Sequence, residues 1–80
     1  MNSTIKNNTR VLPPALKLVV NGCAMTVCAT TLADLLSETG YGDTKVATAR
    51  NGDFVPERLR VSTTLVGGDR IEILSPRQGG

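Results

Sequence analysis

The sequence lacks the residues on which most self-contained catalytic and metal sites depend. None of the 80 residues is histidine, so the commonest general base and the commonest zinc ligand are absent. One tyrosine and one phenylalanine are too few aromatic rings to line a large pocket. A domain of this length also has little interior in which to enclose an active site. We therefore expect no catalytic side chain and no metal site, but a module that acts with partner proteins.

Charge and hydropathy argue against two further classes of partner. Nine basic and seven acidic residues give a net charge of +2, and the basic residues form no run or stripe of the kind that binds nucleic acid. No apolar run approaches the roughly 20 residues that cross a bilayer. Two cysteines without a secretory signal favour a reducing compartment. The sequence predicts a cytoplasmic protein with no nucleic-acid or membrane partner.

The spacing of the two cysteines, Cys23 and Cys28, argues against a joint role. Residues five apart along an extended strand point to opposite faces of the pleat, so these thiols are poorly placed to share a metal ion or a disulfide bond. We interpret both as small, partly buried apolar residues. A redox role for either thiol is the alternative.

The first half of the chain has the pattern of a β-hairpin followed by a helix. Apolar residues alternate on both sides of an Asn-Gly pair at positions 21–22, which is typical of a tight hairpin turn. A helix of about nine residues follows, with Thr31 as its N-cap and Gly40 just beyond its end. Its core-facing residues have the i, i+3, i+4 spacing of one helix face: Leu32, Leu35 and Leu36.

The second half of the chain predicts the rest of a mixed sheet. Its segments are a strand at 46–50, a short segment at 54–55 after a second Asn-Gly turn, a turn or short helical crossover at 56–60, and a last strand at 70–74. The first and last strands are best joined as a central parallel pair. The predicted fold is α+β of the β-grasp kind, over residues 16–75, with a four- to five-stranded mixed sheet packed on one main helix.

Two flexible segments are predicted outside this domain. Residues 1–15 form a polar extension, and residues 76–80 form a tail that Pro76 directs away from the sheet. The tail ends in Gly79 and Gly80, and each missing Cβ removes an obstacle to entering a narrow channel in another protein. A carboxylate is unreactive until it is activated, typically by adenylation from ATP, after which a sulfur nucleophile can displace AMP. A frayed, glycine-rich terminus without a function is the alternative.

Several segments together resemble the sulfur carrier protein of thiamine biosynthesis, over about residues 16–80. They are Val-Ala-Thr-Ala-Arg-Asn-Gly at 46–52, Val-Pro at 55–56, Gly-Asp-Arg-Ile-Glu-Ile at 68–73 and Pro-Arg-Gln-Gly-Gly at 76–80. The resemblance implies a ubiquitin-like β-grasp fold and a carrier that partner enzymes modify, not an enzyme. The extension at 1–15 is longer than that family usually carries, and the two cysteines have no role in its scheme.

The resemblance also assigns roles to the tail. It implies that an E1-like enzyme uses ATP to adenylate Gly80, which becomes a thiocarboxylate. The sulfur would come from a sulfurtransferase or cysteine desulfurase and go to thiazole synthase, while Gly79, Gln78 and Arg77 thread into partner active sites. No permanently bound cofactor is expected. The sulfur is placed on the terminal carbonyl, not on a cysteine thiol.

A partner surface is predicted beside the tail. Leu74 and Val19 should point away from the helix-covered face and form an apolar docking patch, to which Arg70 and Arg77 would add polar contacts. Ordinary scattered surface residues are the alternative.

Three other functions are compatible with the same sequence. The small subunit of molybdopterin synthase shares the fold, the Gly-Gly tail and the adenylation chemistry, although the segment from Asn51 to Pro56 favours thiamine. A ubiquitin-like modifier would join its terminus to lysines. A non-catalytic ubiquitin-like binding module would carry an inert tail.

Overall fold

The computed structural model describes residues 15–42 and 44–75, which form a five-stranded mixed sheet with a helix on one face. The elements are β1 (Leu16–Val20), β2 (Cys23–Val27), α1 (Leu32–Glu38), β3 (Ala47–Arg50), β4 (Asp53–Val55), a 3₁₀ helix (Glu57–Ser62) and β5 (Arg70–Leu74). The strand order is β2-β1-β5-β3-β4. Only β1 and β5 are parallel among these neighbours, which confirms the predicted central pair and α+β fold.

Both Asn-Gly pairs form the tight turns that the sequence predicts. Asn21 and Gly22 have φ values of 51° and 83°, and Asn51 and Gly52 have 52° and 88°. A two-residue hairpin turn with positive φ at both central positions matches the twist of the flanking strands. The two turns therefore fix the registers of the β1–β2 and β3–β4 hairpins.

Helix α1 is capped at both ends as predicted, although it has seven residues instead of about nine. The hydroxyl of Thr31 accepts a hydrogen bond from the Asp34 amide at 3.2 Å. At the other end Gly40 has a φ of 93°, and the Tyr41 amide donates to the Leu36 carbonyl at 2.7 Å, which is the geometry of a Schellman motif. A helix this short is held in place by packing, not by its own propensity.

The core lies between α1 and the inner face of the sheet. Its side chains come from every strand except β3, from α1 and from two loop positions: Leu18, Val20, Val27, Ala29, Leu32, Leu35, Leu36, Val55, Leu65, Ile71 and Ile73. The predicted inward faces of β1, β5 and α1 are confirmed.

The crossover after β4 is longer than the sequence predicts. The expected turn or short helix at 56–60 is a 3₁₀ helix that continues to Ser62 and buries none of its residues. Arg60 attaches it to β3, because its guanidinium donates to the Val46 carbonyl at 2.6 Å and to the Thr48 hydroxyl at 3.1 Å. After this helix, a single bridge pairs Thr64 with Thr31.

The interpretation of both cysteines as partly buried is wrong. Cys23 and Cys28 are free and exposed. Cys23 begins the edge strand β2 immediately after a turn, and Cys28 follows the end of that strand, where its amide donates to the Glu38 carboxylate at 3.2 Å.

A buried carboxylate joins the second Asn-Gly turn to the start of β5. Asp69 is only 6 % exposed and accepts hydrogen bonds from Arg50 at 2.8 Å, from the Asn51 amide group at 2.9 Å and from the Val66 backbone amide at 2.8 Å. Burial raises the pKa of Asp69, but these donors and the charge of Arg50 together lower it further, so the net pKa lies below its ordinary value.

We expect Asp69→Ala to lower the free energy of unfolding at neutral pH by about 2–3 kcal/mol, because three donors lose their acceptor while Arg50 stays partly hydrated. A carboxyl with a lowered folded pKa stabilises the fold above its unfolded pKa of about 3.9, and this contribution disappears as the pH falls through the folded pKa. Urea unfolding at pH 7 and in a series below pH 4 measures the effect. The difference between wild type and variant should shrink on acidification, and a constant difference would contradict the assignment.

Candidate functional site

The predicted reactive end of the chain lies just beyond the described residues. Gly80, Gly79, Gln78 and Arg77 are outside them, so their assigned roles stay predictions. The structure shows the strand from which they continue, β5, which ends at Leu74.

Strand β5 lies at the centre of the sheet. It pairs with β3 from Ile71 to Leu74 and with β1 at Arg70 and Ile71. The side-chain amide of Asn21 also contacts the backbone of β5, at Ile73. The chain therefore leaves the domain from a strand that is fixed on both sides.

An apolar patch lies on the outer face of the sheet, opposite α1. Two of its residues are large and unusually exposed, Phe54 at 69 % and Leu74 at 68 %. The register places Ala49 opposite Phe54 and Ala47 opposite Leu74, and these four residues, which we call the outer patch, line a depression of about 90 Å³ with Thr48 and Glu72. Exposed apolar side chains that cluster in this way are typical of protein interfaces.

The model of the ThiS family matches residues 19–80, which is more than three quarters of the sequence and includes the tail. The chain belongs to the ThiS family. The crystal structure of the thiamine biosynthesis protein ThiS from Geobacter metallireducens is similar to this ThiS-family chain, with 29 % sequence identity and a TM-score of 0.69. The match covers 81 % of this chain and 100 % of that one. No curated protein matches the sequence.

These findings confirm two predictions about the ThiS-family chain. The family resemblance stated from its motifs is correct, and the five-stranded sheet with one main helix is a ubiquitin-like β-grasp fold. The family match extends to Gly80, so the matched range includes the Gly-Gly terminus.

The structure places only some residues of the predicted partner surface close to one another. Leu74 belongs to the outer patch, next to the start of the tail. Val19 is half-buried and pairs with Arg70, which is exposed, at the opposite end of β5. Leu74 is four positions farther along the strand than Arg70, a distance of about 13 Å, although both residues line one shallow depression with Glu72. Arg77, the other predicted polar contact, lies outside the described residues.

Sequence reasoning missed Phe54 as a surface residue. It identified residues 54–55 as a short strand but assigned no role to the ring. The signal was available, because Val55 is buried and neighbouring residues of a strand point to opposite faces. A single phenylalanine placed outward on a sheet is the kind of residue that contacts a partner.

The described part of the ThiS-family chain shows neither a metal centre nor a membrane span. Within residues 15–42 and 44–75, no three Cys, Asp or Glu side chains are grouped closely enough to hold a metal ion. None of the helical segments that the structure describes is long and apolar enough to cross a membrane.

Proposed function

We propose that this chain is a sulfur carrier for thiamine biosynthesis, with Gly80 as the residue that bears the sulfur. The observation that carries the proposal is the ThiS-family match, which runs from β1 through the Gly-Gly terminus. The similar ThiS structure, described as a thiamine biosynthesis protein, supports thiamine over the molybdenum cofactor as the destination of the sulfur.

The proposed chemistry needs only the terminal carboxylate from the carrier. A carboxylate oxygen of Gly80 attacks the α-phosphorus of ATP, pyrophosphate leaves, and an acyl-adenylate forms. A sulfur nucleophile then attacks the carbonyl carbon and AMP leaves. When the nucleophile is a persulfide of the sulfur donor, an acyl disulfide forms and a thiol reductant cleaves its S–S bond, becoming part of a new disulfide. The chain keeps a thiocarboxylate in which one terminal oxygen has been replaced by sulfur. An E1-like enzyme, a sulfurtransferase or cysteine desulfurase, and thiazole synthase supply the other components.

The outer patch is the proposed docking surface for the E1-like enzyme. A tail of five residues offers few contacts, so most of the binding energy should come from the folded domain. Phe54 and Leu74 provide exposed apolar area next to Ser75, from which the tail continues. An enzyme that covers the outer patch would therefore have the tail beside its own active site.

Intact-mass measurement tests the proposal. The full chain is incubated with ATP, a sulfur source, the E1-like enzyme and the sulfurtransferase, and a parallel sample omits ATP. We expect one oxygen to be replaced by sulfur only when ATP is present, and the modified chain to support thiazole formation by thiazole synthase. An unchanged mass, under conditions in which a reference carrier is modified by the same enzymes, would refute the proposal.

A further inference from the structure

We propose that Asn21 is a positioning residue for the tail, because its side-chain amide completes the pairing of β5 at Ile73 and so fixes the point from which the tail departs. This inference rests on the proposed function as a carrier and assigns a role in it to a residue far from the C-terminus in sequence.

Strand β1 supports only the first part of β5. The parallel register pairs Val19 with Arg70 and Val20 with Ile71, and the backbone amide of Asn21 donates to the Ile71 carbonyl at 2.9 Å. The chain then turns into β2. Among the described residues, no strand residue lies beside Ile73 on this side of β5.

The side chain of Asn21 takes the place of that missing strand residue. Its Oδ1 accepts from the Ile73 amide at 2.8 Å, and its Nδ2 donates to the Ile73 carbonyl at 3.1 Å. These two bonds satisfy both backbone groups of Ile73 on this side of β5. Ile73 is 4 % exposed, so its amide and carbonyl would be costly to leave unpaired.

The second Asn-Gly turn makes a similar contact at the other end of β5. Oδ1 of Asn51 accepts from the Arg70 amide at 2.8 Å, while its Nδ2 donates to the Asp69 carboxylate. The backbone φ of Asn51 is 52°, against 51° for Asn21. Asn51 therefore bonds the N-terminal end of β5, and Asn21 bonds the strand near its C-terminal end. The two asparagines form a matched pair for experiment.

Loss of the Asn21 amide should affect the tail selectively. Ile73 lies three residues before Pro76, and beyond it only the pairing of Leu74 with Ala47 fixes the strand. If the last residues of β5 fray, the tail starts from many directions, and more conformational entropy is lost when it enters an active site. Three of the four outer-patch residues, including Phe54, lie on β3 and β4 and keep their places, so most of the effect should fall on the step after docking.

The test compares Asn21→Gly with Asn51→Gly in the full chain. Glycine accepts the positive φ of both positions, so each variant loses a side-chain amide without backbone strain. With the E1-like enzyme and ATP, pyrophosphate release should show kcat reduced about tenfold for Asn21→Gly and KM within about twofold of wild type. Asn51→Gly should change neither constant by more than about twofold. Asn21→Asp keeps the acceptor but loses the donor, so its kcat should be intermediate.

Hydrogen exchange provides a readout that does not need the enzyme. The Ile73 amide should exchange faster in Asn21→Gly than in Asn51→Gly at equal global stability, and the Arg70 amide should show the reverse. Equal kcat values for the two glycine variants, or an unchanged Ile73 exchange rate in Asn21→Gly, would overturn the inference. If wild type releases no pyrophosphate with an enzyme that adenylates a reference carrier, the proposed function fails and the positioning role with it. An exchange difference would then show a purely structural contact.

Discussion

Deletion of Gly80 is expected to abolish sulfur acceptance completely while leaving the stability of the domain unchanged. The deletion still leaves a glycine carboxylate, but that carboxylate is about 3.5 Å short of its proper position in an extended chain. A displacement of about 1 Å can already reduce a rate 100-fold. Withdrawal of the carboxylate by the length of one residue should therefore lower the modification below detection. The core extends from Leu18 to Ile73, so the unfolding transition should not move.

The measurement is intact mass after incubation with ATP, the sulfur source and the partner enzymes, together with thermal unfolding. Deletion of Asn2 provides the matched control, because it shortens the chain by one residue without touching the tail. That control should gain sulfur as wild type does. A Gly80-deleted chain that still exchanged oxygen for sulfur would show that the terminal position is not read by the partner enzymes.

Replacement of Phe54 by Asp should reduce kcat/KM for adenylation about 100-fold. The ring is 69 % exposed in the outer patch, and truncation of an aromatic hot-spot residue costs about 2–4 kcal/mol of binding energy. A carboxylate there would also have to be desolvated against the partner. The fold should tolerate the change, because Phe54 lies opposite the small side chain of Ala49 on the exposed face. Pyrophosphate release at varied carrier concentration measures the effect.

Val61 offers a control with almost the same exposure. It is 70 % exposed and lies in the 3₁₀ helix, away from the outer patch. Val61→Asp introduces the same charge on the surface but should leave kcat/KM within about twofold of wild type. If the two variants lose activity equally, the partner recognises net charge or general surface polarity, and the outer patch is not its docking surface.

Local sequence rules were sufficient for most of the fold. The Asn-Gly pairs fixed two hairpins, Thr31 and Gly40 bounded the helix, and alternation identified the inward residues of β1 and β5. The parallel central pair followed from the element order, because the first and last strands cannot be hairpin neighbours and a parallel pair joins the two halves of the chain around the helix. These features depend on neighbours in sequence or on connectivity, and both can be read from a single chain.

Features that depend on tertiary register could not be read in this way. The exposure of Cys23 follows from the place of β2 at the sheet edge, and the separation of Val19 from Leu74 follows from the offset between β1 and β5. The 3₁₀ helix continues past Arg60 to Ser62, and the Arg60 guanidinium bonds to Val46 and Thr48 join it to residues that no local pattern links to it. The contact of Asn21 with Ile73 joins residues 52 positions apart, and no sequence period links them.

The two Asn-Gly turns also bear on how long the carrier remains functional. Asparagine loses its amide most readily before glycine, because the unhindered glycine nitrogen can attack the side-chain carbonyl through a cyclic imide. At Asn21 the aspartate product would place a carboxylate oxygen against the Ile73 carbonyl, where the structure has an N–H donor. Deamidation of Asn21 would thus weaken the pairing of β5, the strand from which the tail continues. The mass change of deamidation is much smaller than that of oxygen-to-sulfur replacement. The intact-mass spectrum therefore distinguishes the deamidated chain from the thiocarboxylated chain.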